Sequence, residues 1–163
     1  MRSRIRKILM ICSNYDAFAL EEDGRIENQV RSEYRELNLS NPPKFIWANS
    51  SQQAREIVSS ETEVDMIICM FNEQDKGIFP FASELKEEGR GIPFVLLIHY
   101  SKAVRQRVLE SPRPGVDFVF SWHGNADLIL AIVKLLEDAA NADNDVFEVG
   151  VKGILLVEDS IRY

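Results

Sequence analysis

Three groups of residues in this chain have side chains that could do chemistry. The first is the acidic pair Glu158 and Asp159, which closes the apolar run "GILLV" near the end of the chain. An apolar run that stops abruptly at two acids usually begins a domain. The second is Asp16, Glu73 and Asp75, which lie just beyond the first and third apolar runs. They could form a displaced metal or phosphate site, although acidic loop residues are more often simply solvated. The third is Cys12 and Cys69 with His99 and His123. Two thiols fall short of a four-coordinate structural zinc site, and a cysteine that ends an apolar run is most often a small buried hydrophobe. Histidines in separate loops are more often surface or satisfied core residues than ligands, so no metal is expected.

Such groups are positioned by the elements that carry them. Short apolar runs bounded by turn residues alternate with helix-period segments, the pattern of βαβ units and a parallel sheet. Five runs predict strands: "IRKILMIC", "KFIWA", "DMIICMF", "PFVLLIH" and "VDFVFS". Nearly continuous rather than alternating, they suit strands buried on both faces. Between the first two, Ile26, Val30, Tyr34 and Leu37 share a helical face; after the second, Ser51 is a candidate N-cap with Ala54, Ile57 and Val58 as the buried stripe. Phe79 to Glu88 predicts a third helix ending at Gly89, and "SKAVRQRVLESP" a fourth with Val104, Val108 and Leu109 inward. The fifth starts at Gly124 or Asn125 and places Leu128, Ile129, Ile132, Val133, Leu135 and Leu136 inward. The first strand-to-helix connection, "YDAFALEEDGR", exceeds the usual length of about two to six residues. Either Tyr15, Phe18 or Leu20 covers the end of the sheet, or the segment is a surface insertion.

These five β-α pairs make residues 1–140 one α/β domain, with 141–153 as a polar linker and 154–163 as the first strand of a second domain, cut off within this chain. At 163 residues the chain suits one domain with an ordinary core. The net charge of -7 argues against nucleic-acid and anionic-membrane partners. No stretch approaches the roughly 18 apolar residues of a membrane span, and "ILMIC" is shorter than a secretory core of roughly 7–15. With two cysteines and no leader, a reducing cytoplasm is expected.

The order and spacing of elements, with "VDMIICMFN", "GIPFVLLIHYS" and "GVDFVFSWHG" as third, fourth and fifth strand segments, resemble the receiver domain of bacterial two-component response regulators over nearly all of residues 1–140. The resemblance implies a flavodoxin-like doubly wound sheet of five parallel strands, ordered 2-1-3-4-5, with helices on both faces. It also implies a site at the carboxyl ends of the strands. There an aspartate after the third strand takes a phosphoryl group, an acidic pair after the first holds Mg²⁺, and a hydroxyl and a lysine neutralise the phosphoryl oxygens. Aligning "ILMICSN" with "ILLVEDS" puts Cys12 and Ser13 at the acidic pair, and counting from Asp65 puts Met70 at the phosphoacceptor. Ile98 or His99 takes the hydroxyl's place, Trp122 the lysine's, and His123 that of a characteristic proline. A thioether has no nucleophilic role at a phosphoryl centre. The expectation is therefore a degenerate pocket with no catalytic residue and no cofactor: a pseudo-receiver.

Two rivals stand beside it. A phosphorelay receiver could use a displaced aspartate, Asp16 or Asp75. A flavodoxin-like cofactor binder would need "SNYDAF" as its phosphate loop, which lacks glycine and clustered hydroxyls. The tail "VKGILLVEDSIRY" is similar to a receiver's first strand with its acidic pair intact at Glu158 and Asp159. More weakly, it resembles the interdomain segment of proteins that join receiver-like domains to a phosphoenolpyruvate synthase or pyruvate phosphate dikinase-like portion. The partners implied are other domains of the same polypeptide, and a second copy across Val104 to Glu110, Phe118 to Ser121 and Asp127 to Asp138.

Overall fold

The computed structural model describes residues 3–22, 26–60, 63–99, 106, 112–124 and 126–150. Five strands, β1 (Lys7–Ile11), β2 (Lys44–Ala48), β3 (Met66–Met70), β4 (Phe94–His99) and β5 (Phe118–Trp122), pair in parallel in the order β2-β1-β3-β4-β5. This is the flavodoxin-like arrangement expected. Along each strand alternate residues go to opposite faces, which is why the runs are apolar throughout. Ile8, Met10, Ile68, Met70, Val95 and Leu97 belong to one cluster and Leu9, Ile11, Ile67, Cys69, Phe94 and Leu96 to the other. Each fully buried aliphatic side chain contributes about 1.5–3 kcal/mol relative to exposure.

The first face is covered by α2 (Ile26–Glu36), through Ile26, Val30 and Tyr34, and by α5 (Ala126–Asp143). The second is covered by α3 (Ser51–Ser59) and α4 (Ile78–Glu87), through Ala54, Val58, Ile78, Phe81, Ala82 and Leu85. Gly89, at φ 69°, ends α4 as expected, and the next amide, of Arg90, donates to the Leu85 carbonyl at 3.1 Å. Gly115 is required for a different reason: at φ 79° it packs directly on the backbone of Ala82, where any Cβ would collide.

Several expectations change. The N-cap of α3 is Ser50, whose Oγ accepts from the Gln53 amide at 3.3 Å, while Ser51 is the buried first residue of the helix. Leu37 falls just past α2 and is exposed, and Leu135 is exposed while Leu130 is buried. The long first connection contains a helix, α1 (Asn14–Glu22). Residues 141–148, expected as linker, continue the last helix: α5 runs to Asp143 and is followed by a π-helical turn, Asn144–Glu148. The reason is Asn141, 1% exposed. Its Oδ1 accepts from the Ser3 amide at 2.8 Å and its Nδ2 donates to the Ser3 carbonyl at 2.7 Å. One turn earlier, buried Glu137 accepts from the Ile5 amide at 3.0 Å and from Lys134 Nζ at 2.7 Å. Leu130, Glu137 and Asn141 thus form a stripe that ties the start of the chain to α5.

Val104, Val108 and Leu109 of the fourth helix, Asn125, and the tail with Glu158 and Asp159 lie outside the described residues. Among the described residues no helix is long and apolar enough to cross a membrane.

Candidate functional site at the carboxyl edge of the sheet

The register brings the strand ends level: Ile11 lies beside Cys69, Met70 beside Leu97, and His99 beside Trp122. Pleating then decides which side chains meet. Cys12, Met70 and Trp122 fall on the α2/α5 face, pack in one apolar cluster and are 3%, 2% and 6% exposed. Ile98, equally buried, falls on the opposite face with Ile11 and Cys69. Three of the four positions therefore come together and the fourth does not.

The thiols are neutral. Burial, and secondarily the charge of Asp16, pushes Cys12 from 9.0 up to about 12. Burial likewise raises Cys69, with Asp75 and Cys12 adding to the effect.

Ser13 is the residue that starts α1. Its Oγ accepts from the Asp16 amide at 3.1 Å and donates to Asp16 Oδ2 at 2.6 Å, a reciprocal cap in which the carboxylate sits in the first helical turn. The other carboxylate oxygen of Asp16 lies 3.3 Å from His99 Nε2. Because β1 and β4 flank β3, this contact bridges the two strand ends on either side of Met70. The spacing Ser13-x-x-Asp16 makes the cap visible in the sequence; the approach of His99 is a product of strand order and has no local signal.

Asp75 is engaged on both oxygens. Oδ2 accepts from the Ser51 amide at 2.6 Å; Oδ1 accepts from Ser51 Oγ at 2.6 Å and from the Gly77 amide at 3.0 Å. It fastens the loop after β3 to the start of α3. Glu73 lies in the same loop and is exposed, as is His123 after β5. Tyr15 and Phe18 of α1 are 81% and 58% exposed and do not cover the strand ends; half-buried Ala17 packs there instead, and the side chain of Leu20 lies outside the described residues. Among the described residues no three histidine, cysteine or acidic side chains converge as a metal site.

The donors at the positions the resemblance assigns are a protonated thiol, a single hydroxyl and a thioether; only the hydroxyl is a hard oxygen ligand, too few for Mg²⁺. Asp16, whose charge reaches Cys12, already holds Ser13 and His99.

Five parallel strands in this order, with their loops gathered at the carboxyl edge, define the receiver-domain fold. The signal receiver domain of a putative Luxo repressor protein from Vibrio parahaemolyticus is similar at 13% identity and TM-score 0.60, covering 89% of this chain and 98% of that one. The receiver domain of an HD domain-containing protein from Pseudomonas fluorescens is similar at 18% identity and TM-score 0.57, covering 88% and 96%. A Francisella response regulator receiver domain is similar at 15% identity and TM-score 0.53, covering 83% and 98%. At these identities the likeness is one of fold. By sequence the chain matches no family model and no curated protein.

Proposed function

We propose that the domain is a pseudo-receiver, a receiver fold that regulates by contact with other domains of its own polypeptide and not by accepting a phosphoryl group. The observation that supports this reading most directly is the seat of Met70. At the place where the fold family carries its phosphoacceptor, a thioether is packed at 2% exposure in the apolar cluster that also holds Cys12 and Trp122. Phosphoryl transfer is mainly positioning and electrostatic stabilisation, and among the described residues the positions assigned to the phosphoacceptor and the lysine carry a buried thioether and a buried indole, which supply neither a nucleophile nor a cation. Nothing favours the displaced-aspartate alternative over it, since Asp75 and Asp16 already hold backbone amides, hydroxyls and an imidazole. The output domains, including a phosphoenolpyruvate synthase-like one, belong to the same proposal and rest on the tail's resemblance alone.

The test is incubation with acetyl phosphate and Mg²⁺ followed by intact mass measurement. No phosphoryl adduct is expected; a stoichiometric adduct that disappears in Asp75→Asn or Asp16→Asn would replace this reading with the phosphorelay one.

A further inference from the structure

Beside the packed edge, between the carboxyl ends of β1 and β2, lies a cleft of about 330 Å³ lined by Cys12, Asn14, Ala17, Trp47, Ala48, Asn49 and Gln53. Its volume falls at the lower end of the roughly 300–1,000 Å³ typical of small-molecule sites. Cys12 and Ala48 are buried and form the floor, and Trp47, stacked on Phe45 with ring centroids 6.2 Å apart, forms a braced aromatic wall. The rim is three carboxamides. The Asn49 amide donates to Gln53 Oε1 at 2.7 Å, and Asn49 Oδ1 accepts from Ser50 Oγ at 3.1 Å. Each of those oxygens has one acceptor site engaged, and the NH₂ groups of Gln53 and Asn49 remain as donors, while Asn14 offers both a donor and an acceptor.

Among the described residues no acidic, basic or histidine side chain lines the cleft, and the neutral Cys12 thiol adds no charge. A flat aromatic face, amide donors and an amide edge, without charge, complement an uncharged nitrogen heteroaromatic ring. Such a ring stacks on indole, its ring nitrogens accept from the NH₂ groups, and an adjacent donor–acceptor edge such as that of adenine pairs with a carboxamide in two hydrogen bonds. We propose that this cleft binds an uncharged purine-type heteroaromatic, as free base or nucleoside, and so gives the domain a small-molecule input. A phosphate on the same ligand is disfavoured, because no cation among the described lining residues offsets its desolvation and the chain's net charge is -7. The site shares Cys12 with the packed edge but otherwise draws on the β1/β2 side and not on the phosphoacceptor position, so its test does not depend on the pseudo-receiver reading.

The test is a titration of the chain with adenine, adenosine and adenosine monophosphate, followed by the side-chain N–H resonances of its two tryptophans and of Asn14, Asn49 and Gln53. Adenine and adenosine should shift the Trp47 indole and these carboxamides saturably and leave buried Trp122 unmoved. Affinity should fall at least about tenfold in Trp47→Ala and in Gln53→Leu, and be at least about tenfold weaker for the monophosphate. Gln53 is exposed in the first turn of α3, so its leucine variant keeps the fold, with the thermal midpoint as the check. Absence of a saturable shift at millimolar adenosine overturns the proposal, as does binding undiminished in either variant or equally tight for the monophosphate.

Discussion

At the amino end of the sheet, Asp65 accepts the amides of Arg6 and Lys7 at 2.8 and 2.9 Å, Asp117 accepts that of Phe94 at 2.7 Å and the ammonium of Lys86, and Glu137 accepts that of Ile5. At the carboxyl end the corresponding strand termini carry Cys12, Met70, Ile98 and Trp122, and the carboxylates of Asp16 and Asp75 are bonded at the starts of α1 and α3. Both ends belong to the same five strands, so the contrast lies in what a carboxylate is paired with. An acid bonded to backbone amides of its own chain carries its partner with it. A cluster of acids at one rim repels itself unless an external cation holds it together. Where that cation has no role, apolar groups of similar size stabilise the edge better than unpaired charges. The amino end therefore holds its acids on backbone amides, while among the described residues the buried strand termini at the carboxyl end are apolar.

The strongest way to break this comparison is Met70→Asp. It places a carboxylate at a 2% exposed position inside an apolar cluster. The expected loss is at least about 3 kcal/mol in urea unfolding, without rescue by Mg²⁺. Adding Cys12→Asp and Ser13→Asp to the same variant supplies oxygen ligands, and its stability should then depend on Mg²⁺. A cost under about 1 kcal/mol for the single variant would mean that the edge is open and wet, unlike the packed arrangement described.

At the opposite end, Asn141→Ala removes the amide that exchanges two hydrogen bonds with Ser3 and donates a third to the Glu137 carbonyl at 2.6 Å. About 2 kcal/mol of stability should be lost, against less than about 0.5 kcal/mol for exposed Asp138→Ala. Amide hydrogen exchange at Ser3 and Ile5 should quicken in the first variant only. Equal effects from the two would show that the clamp on the first strand is ornamental.

The same contrast explains what could be read in advance. The strands were legible because burial on both faces makes a parallel strand a continuous apolar run, as in "MIICM". Counting along those runs also located the carboxyl ends of the strands, with Met70 the last residue of β3 and Trp122 the last of β5. Side-chain type alone could not reveal that Glu137 and Asn141 are buried, since both are ordinarily solvated; their shared stripe with Leu130 emerges only once the helix is docked. For the same reason Leu135 was placed inward although the docked face rotates it into solvent. The Asp16–His99 contact joins the ends of β1 and β4, which are far apart in the chain, so it depends on strand order and not on any local motif.

The finest probe of the packed edge is the Cys12 thiol. Its folded value near 12 stands above the ordinary 9.0, first because of burial and then because of Asp16. The fold thus favours the protonated form, so its contribution to stability is fully present below about pH 9 and is lost as pH rises toward 12. Over one unit above pH 9, the parent should lose about 1 kcal/mol more than Cys12→Ala, at about 1.4 kcal/mol per full unit of linkage. Comparing slopes removes the constant cost of the smaller side chain. Alkylation near pH 8 should be slow in the native chain and quick in urea, since the thiolate is the reacting form and the native site suppresses it. Equal pH slopes together with rapid native labelling would mean that water reaches Cys12 freely, and the floor shared by the packed edge and the neighbouring cleft would not be dry.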